Sequence, residues 1–418
     1  MTAHTPVGLA PFDPWGSLRV AVARALLTAA TKRVTVDVRL PDGRLLVPRH
    51  DANPRPVIEL VRPDALLKRI APHPKIGIGE GYMAGDWRAA EGTDLAAVLV
   101  PFAERITTVL PPPLIRLRRL VDRPIPPTQR NTLSGSRRNI EAHYDLGNEL
   151  FAAFLDPTMS YSSALFDDSR PFAGQDLADA QLRKVGAILD LAQVRHGSRV
   201  LEIGTGWGTL AIEAARRGAT VTSVTLSQEQ ARLARERVRA ADLGDRVEVR
   251  VADYREVAGD FDAIVSVEMI EAVGDEYWPA YFTALDRLLA PGGVAAVQSI
   301  LMAHDRYLAT RRSHGWIHKH IFPGGMIPSL RAIEDTARQH TRLRVSQVHL
   351  FGLHYAETLR RWRTAFTDAS EEIAAMGYDE TFRRKWEFYL AYCEAGFASG
   401  YLDVAQVRLT RPTHGGRA

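Results

Sequence analysis

Gly204, Gly206 and Gly208 stand at alternate positions in LEIGTGWG, directly after an apolar run and directly before the helical stretch TLAIEAARRG. Glycines at a strand-to-helix turn let a ligand approach the backbone at the carboxyl end of the first strand. The pyrophosphate loop G-x-G-x-x-G would want glycine at position 209, which is Thr209, so a dinucleotide is the poorer match. SVTLSQEQ follows the second strand with Thr225, Ser227, Glu229 and Gln230, whose polar side chains suit ribose hydroxyls. Asp253 and Tyr254, after the third strand, fall where such folds hold an adenine. Gln298, at the end of a later strand, points toward the same crevice. His314, His318 and His320 have the spacing of a loop or an exposed helix and bring no acidic or cysteine ligands, so no metal site is read there. The lone Cys393 excludes an intramolecular disulfide and is read as a small, buried, inert residue. Trp386, Tyr389 and Tyr392 are read as the core face of a helix.

The elements needed to position these residues are visible in the patterning. From about 175 to 305 helical and strand stretches alternate: DLADAQLRKVGAILDLA, SRVLEIG, TLAIEAARRG, ATVTSVTL, SQEQARLARERVRAA, RVEVRVADY, FDAIVSVEM and GGVAAVQSIL. Such βαβ alternation predicts a parallel, doubly wound sheet. Residues 355–405 read mostly as aromatic-rich helices that cover the sheet edge or cap a pocket. Upstream, RVTVDVRLPDGRLLVPR predicts two strands joined by a turn at Pro41, Asp42 and Gly43, followed by the helices PDALLKRIA and TDLAAVLVPFAERITTVL. The proline-rich stretch LPPPLIRLRRLVDRPIPPTQRN, from Leu110 to Asn131, divides the chain into residues 1–125 and 126–418. Its Arg116, Arg118 and Arg119 alternate with Leu and Ile, which suits either a basic amphipathic element at a membrane surface or a solvated connector.

The acidic-x-G-x-G-x-G form beginning at Glu202 is typical of class I S-adenosylmethionine (SAM) methyltransferases, with Glu202 holding the amino-acid end or orienting the loop. The fold class expected is α/β: a class I SAM-dependent methyltransferase with a Rossmann-like doubly wound sheet, a smaller α+β N-terminal domain and helical additions. Several further motifs occur in order: GIGEGYMAGDW, RRNIEAHYDLGNELFAAFLDPTMSYSSALF, VTLSQEQ, SVEMIEAVG, IFPGGMIPS and FGLHYAETLRRW. Together they resemble the cyclopropane-fatty-acyl-phospholipid synthases, from roughly Ile58 to Leu409.

That resemblance implies transfer of the SAM methyl group to a cis double bond of a phospholipid acyl chain, with an N-terminal lipid-handling domain. It also implies a bicarbonate ion that takes the departing proton. Carried over position by position, Glu271 would hold the bicarbonate, Tyr355 would contact it and the Ile300 backbone amide would contribute. Tyr161 and Ser162 would lie near the SAM carboxyl end, and Gly204, Gly206, Thr225 and Gln230 along the cofactor loop. His143 and Tyr144 would close over the cofactor. Ser163 and Gln298 replace a cysteine and a histidine found in many bacterial members; both can still donate to an anion, but neither titrates near neutral pH. The EMIEAVG segment has a plant-like or actinobacterial flavour, and some actinobacterial relatives make a 10-methylene chain instead of a ring.

The chain has 418 residues, 46% hydrophobic and 24% charged, which rules out wholesale disorder, collagen and coiled coil. A net charge of +4 is too small to argue for nucleic acid, but it suits an anionic lipid surface where Arg116, Arg118, Arg119, Arg137 and Arg138 cluster. No apolar run is long enough to span a bilayer, and the N-terminus does not read as a signal peptide. The expectation is a cytoplasmic enzyme, peripheral at the inner face of the membrane. A homo-oligomer is left open, and a methylene product would call for a separate reductase. Two alternatives stand beside this: a methyltransferase for a soluble or carrier-bound substrate, and a catalytically silent lipid- or SAM-binding protein.

Overall fold

The computed structural model describes residues 14–49, 51, 53–108, 126, 129, 131–132, 135 and 146–412. His143, Tyr144 and the basic residues Arg116, Arg118, Arg119, Arg137 and Arg138 lie outside the described residues, as does most of the proline-rich stretch. The chain divides into two compact units, Met1–Asp122 and Arg123–Ala418.

The first unit contains α1 (Pro14–Thr31), β1 (Asp37–Arg39), β2 (Val57–Leu60), α2 (Pro63–Ile70), α3 (Pro74–Met83), β3 (Trp87–Ala89) and α4 (Leu95–Glu104). β2 is the central strand, parallel to β1 and antiparallel to β3. The predicted hairpin is reduced to its turn and a single bridge, Arg39 to Leu45. Leu46 N–H still reaches Val38 O at 2.7 Å, but Pro48 lacks an amide hydrogen and the ladder goes no further. β1 instead takes β2 as its partner. Gly77 in the GIGEGYM motif is required by close packing: a Cβ there would lie 2.3 Å from the Arg69 carbonyl oxygen. Buried Asp86 is clamped by Arg62 at 2.9 Å and Arg69 at 2.8 Å, which secures the turn into β3.

The second unit is built on a seven-stranded sheet in the order β6-β5-β4-β7-β8-β10-β9. Its strands are β4 (Arg199–Ile203), β5 (Thr220–Thr225), β6 (Val247–Val251), β7 (Phe261–Val267), β8 (Leu289–Met302), β9 (Arg344–Leu350) and β10 (Leu402–Thr410). The helices are α5 (Asn148–Ala152), α6 (Leu177–Leu191), α7 (Thr209–Arg216), α8 (Gln228–Ala240), α9 (Trp278–Leu288), α10 (His304–Thr310), α11 (Trp316–His320), α12 (Leu330–His340), α13 (Gly352–Asp368), α14 (Ser370–Ala375) and α15 (Glu380–Ala398).

Both faces of the sheet are covered, so its central strands read as near-continuous apolar runs. Successive residues of β4 serve opposite layers. Val200 joins the cluster with Val185, Ile188, Leu210 and Val238, while Leu201 and Ile203 join Tyr281, Phe282, Leu285 and Ile333. The expected all-parallel sheet needs one correction: β10 runs antiparallel between β8 and β9. Gly400, at a φ of 69°, turns the chain straight from α15 into that slot. The helical reading of 355–405 therefore holds for α13, α14 and α15 and stops at β10, whose Val404, Ala405, Gln406 and Val407 are all buried.

Candidate functional site

The carboxyl ends of β4, β5 and β7 open onto one cleft, as expected where a doubly wound sheet reverses its strand order. Tyr161, Ser162, Glu202, Gly204, Gly206, Thr225, Gln230, Asp253 and Tyr254 all line it. Gly204 has a φ of 96°, and a Cβ there would come within 2.9 Å of Met269 Cγ. We therefore expect Gly204→Ala to weaken SAM binding at least ~10-fold, because an L-residue is strained at that φ and its methyl would push against Met269, which lines the same cleft. Isothermal titration calorimetry would check this; unchanged affinity would remove the loop from the binding site.

Each polar residue of the cleft has a local anchor. Ser227 caps α8 by accepting from Gln230 N–H at 3.2 Å, which brings the Gln230 side chain to 3.0 Å from Thr225 Oγ1. Asp253 receives both Nε and Nη2 of Arg255, at 2.8 and 2.6 Å, and Tyr254 packs edge-on against Tyr281. Glu202 is bonded to Ser223 Oγ, which in turn lies 2.7 Å from Thr205 Oγ1 in the glycine loop. Of the two roles read for it, orienting the loop is the one that its bonds support. Burial pushes its carboxyl up to about 8.

The segment Ser160–Phe166 crosses the cleft without regular structure, so its buried backbone groups need side-chain partners. Gln181 Nε2 donates to Ser162 O at 2.9 Å, Ala164 N–H donates to Thr358 Oγ1 at 3.2 Å, and Phe166 N–H donates to His354 Nδ1 at 2.9 Å. Lys184, wholly buried on α6, donates to Ser162 Oγ at 2.6 Å, and burial lowers its ammonium to about 8. Sequence reasoning assigned no role to Lys184. The signal was a lysine and a glutamine, Lys184 and Gln181, on the apolar stripe of α6 beside Ala180 and Ile188.

Beside the cleft lies a pair of half-buried carboxylates, Glu268 and Glu271. Ser163, Gln298 and Tyr355 do come together, but on a residue the sequence reading left without a role, Glu268. Glu268 Oε1 accepts from Ser163 N–H at 2.8 Å and from Gln298 Nε2 at 2.9 Å, and Oε2 accepts from Tyr355 OH at 2.6 Å. Glu271 has separate partners: its Oε1 accepts from Ser299 Oγ at 2.9 Å and from Ile300 N–H at 2.5 Å. Its other oxygen is buried with no hydrogen-bond partner. Burial, then the neighbouring Glu268 charge, push Glu271 up to about 8; burial also raises Glu268 and Tyr355. Of this cluster only Glu268 lines the cleft. The signal for it was an acid immediately after the apolar strand FDAIVSV, at a carboxyl end that faces ligand in this fold.

Aromatic rings pack around the same region. Tyr355 lies 4.5 Å from Phe397 and stands perpendicular to Trp362, and Tyr161 lies 5.3 Å from Trp362. Tyr161 OH is 2.8 Å from Tyr389 OH. Trp386 and Tyr389 are core residues as read, whereas Tyr392 is 43% exposed and stacks on Phe388. The reason is helical phase: Tyr392 lies six positions past Trp386, about 120° around α15 from that buried ring, which turns it away from the core face. Cys393, expected to be buried, is half-buried on the same helix. His314 and His318 have their ring centres 6.0 Å apart, and no group of three or more metal-ligating side chains occurs among the described residues.

The family model described as mycolic acid cyclopropane synthetase matches residues 131–407. The chain belongs to that family. It is 50% identical to the tuberculostearic acid methyltransferase UfaA1 of Mycobacterium tuberculosis, over 97% of this chain and 94% of that one. It is 33% identical to the cyclopropane-fatty-acyl-phospholipid synthase of Escherichia coli, over 86% and 89% of the two chains. Among solved structures, mycolic acid cyclopropane synthase CmaA1, complexed with SAH and CTAB, superposes with a TM-score of 0.59 at 29% identity, covering 65% of this chain and 97% of that one. The chain is therefore a SAM-dependent methyltransferase of the cyclopropane fatty acid synthase family. Its cleft suits SAM: the glycine loop leaves room for close approach, Thr225 and Gln230 present a hydroxyl and an amide that ribose hydroxyls could bond, and buried Lys184 and Ser162 have the donors a carboxylate would need.

Proposed function

We propose that the chain methylates the cis double bond of an unsaturated acyl chain carried by a phospholipid. The observation that carries this reading is the pair of half-buried carboxylates beside the cofactor cleft, Glu268 and Glu271, with aromatic rings packed around Tyr355 next to them. An alkene is a weak nucleophile, and its methylation leaves a carbocation that must lose a proton away from water. Carboxylates and ring faces serve both needs, the rings contributing about 0.5–2 kcal/mol each. Transfer to an amine or hydroxyl leaves no carbocation and would not call for such walls.

SAM supplies the electrophilic methyl group. Gly204, Gly206, Thr225 and Gln230 bind it, Ser162 and Lys184 orient its amino-acid end, and Tyr161 and Trp362 exclude water from the reacting carbons. Similarity to UfaA1 over nearly the whole length supports an open, methylene- or methyl-bearing product, since tuberculostearic acid is methyl-branched. A methylene product requires a separate reductase to reach the saturated branch. The cyclopropane ring, placed first in the sequence reading, is the second reading, supported by the similarity to the Escherichia coli synthase.

Residues 1–125 are proposed to handle the lipid, and the basic residues between Arg116 and Arg138 to dock on the anionic inner face of the membrane. No helix among the described residues is long and apolar enough to cross a bilayer.

The test is mass spectrometry of lipids from a host rich in oleoyl phospholipids that expresses the chain. A gain of one CH₂ in phospholipid acyl chains is expected, and NMR then separates an exocyclic alkene from ring protons. No gain, combined with SAM turnover on a soluble acyl substrate, would overturn the phospholipid reading.

A further inference from the structure

We infer that Glu268 is the resident proton acceptor of the reaction, a carboxylate built into the chain at the place that a diffusible bicarbonate was expected to occupy. The inference rests on the reaction proposed above. The residues expected to hold bicarbonate do not fit it. The Ser163 amide, the Gln298 side chain and the Tyr355 hydroxyl are already bonded to Glu268, and Ile300 is bonded to Glu271. No donor of that set is left for a free anion.

Three features argue that Glu268 works as an anion. First, its bonds are all of the accepting kind. A backbone N–H can only donate, and the Gln298 amide is locked with its NH₂ toward Glu268. The lock comes from β10: Gln406 Nε2 donates to Lys184 O at 3.1 Å and to Gln298 Oε1 at 3.1 Å, so Gln298 Oε1 faces away from Glu268. Second, Lys184 is a buried cation whose field acts on Glu268. Third, Glu268 adopts a φ of 49°, a left-handed conformation that glycine adopts freely and a glutamate does not. The chain holds that strained backbone at the residue on which the three donors converge, which is the pattern of a functional site.

Placement completes the case. Glu268 follows the last residue of β7, its own N–H bonded to Gln298 O at 2.8 Å, and of Glu268, Glu271, Ser163, Gln298 and Tyr355 it alone lines the cofactor cleft. Glu271 sits behind it with one oxygen free of protein partners.

The chemistry balances without an external base. The alkene π pair forms the new C–C bond to the methyl carbon while the C–S pair leaves with sulfur, so the positive charge passes to the adjacent acyl carbon. For a ring, a methyl C–H bond breaks, its proton goes to the Glu268 carboxylate and its electron pair closes onto the cation. For a methylene, a hydride first moves from the methyl-bearing carbon to its cationic neighbour. The methyl proton then goes to Glu268 and its electron pair becomes the exocyclic double bond. In either case the sulfonium charge ends as a proton on Glu268, which solvent removes after product leaves.

The test compares the parent chain with Glu268→Gly, which relieves the strained φ and opens a pocket lined by the same three donors. Turnover on oleoyl-phospholipid vesicles is measured in CO₂-free buffer, with and without added bicarbonate, alongside SAM affinity. The parent is expected to be indifferent to bicarbonate. The variant should keep SAM affinity within about threefold, lose about 100-fold in turnover, and regain at least about 10-fold with bicarbonate but not with chloride. A parent that stalls in CO₂-free buffer, or a variant that keeps its turnover there, would overturn the inference.

A second readout needs no lipid turnover. ¹³C-bicarbonate NMR should show saturable line broadening with the variant and none with the parent; broadening with the parent, or with neither, counts against the inference. If the parent transfers no methyl group to phospholipid while the NMR result stands, the substrate reading has failed and the assignment of the anion position to Glu268 has not.

Discussion

Replacing Glu271 by glutamine is expected to cut turnover by about 10²- to 10³-fold while leaving SAM affinity within about threefold. Glutamine is nearly the same shape, and its amide oxygen can still accept from Ser299 Oγ and the Ile300 amide, so the turn Ile270–Ala272 stays in place. What is lost is the second carboxylate oxygen, which is inaccessible and has no hydrogen-bond partner. The Glu268 charge opposes ionisation of Glu271, so the two carboxylates do not both ionise readily. Glu268 holds the larger set of donors, so Glu271 is the more readily protonated of the two and Glu268 the better placed to accept. An amide at 271 presents two hydrogens that cannot be given up, so the proton that Glu268 collects would have no second carboxylate to spread over before solvent removes it. Steady-state kinetics with calorimetric SAM binding would separate the outcomes. Equal losses of turnover and affinity would mean that Glu271 only shapes the cofactor cleft.

The largest effect on stability is expected away from the chemistry, at Glu394→Ala. α13 carries Tyr355 and packs along α15, and between them Arg363 Nε donates to Glu394 Oε2 at 2.9 Å. Both side chains are only 11% exposed. Removing one member of a buried ion pair costs about 3–5 kcal/mol, because the other is left charged in a poorly solvated place. A midpoint lower by roughly 6–15 °C should follow in differential scanning calorimetry. Replacing both residues together, Arg363→Met with Glu394→Leu, should recover most of that loss, since two apolar side chains need no partner. If the single and double variants fall equally, the cost lies in packing volume and not in the loss of Glu394 as a partner for Arg363.

How much of this was legible in the chain depends on the range over which each feature is decided. The strand–glycine–helix crossover at Leu201–Gly208 and the Ser227 cap are local. Their residues lie within a few positions of one another, so apolar period, φ requirement and capping chemistry act on neighbours and read directly from the order of side chains. The cofactor-facing residues follow for the same reason: Gly204, Thr225, Gln230 and Asp253 each sit just past an apolar strand run, and parallel strands bring all such ends to one edge.

β10 is another matter. Nothing in LDVAQVRLT says that it inserts between β8 and β9, because register between strands more than 100 positions apart is chosen by complementary buried faces and not by either sequence alone. That insertion places Gln406 opposite Gln298, which aims the Gln298 amide at Glu268.

The amino-acid sequence by itself thus determined the fold class, the cofactor and the family, since those rest on short-range patterns and their order. Which carboxylate receives the donors from Ser163, Gln298 and Tyr355 was decided only in three dimensions. Those donors come from segments separated by up to 192 positions, and a buried anion takes whichever partners the packed core leaves unsatisfied.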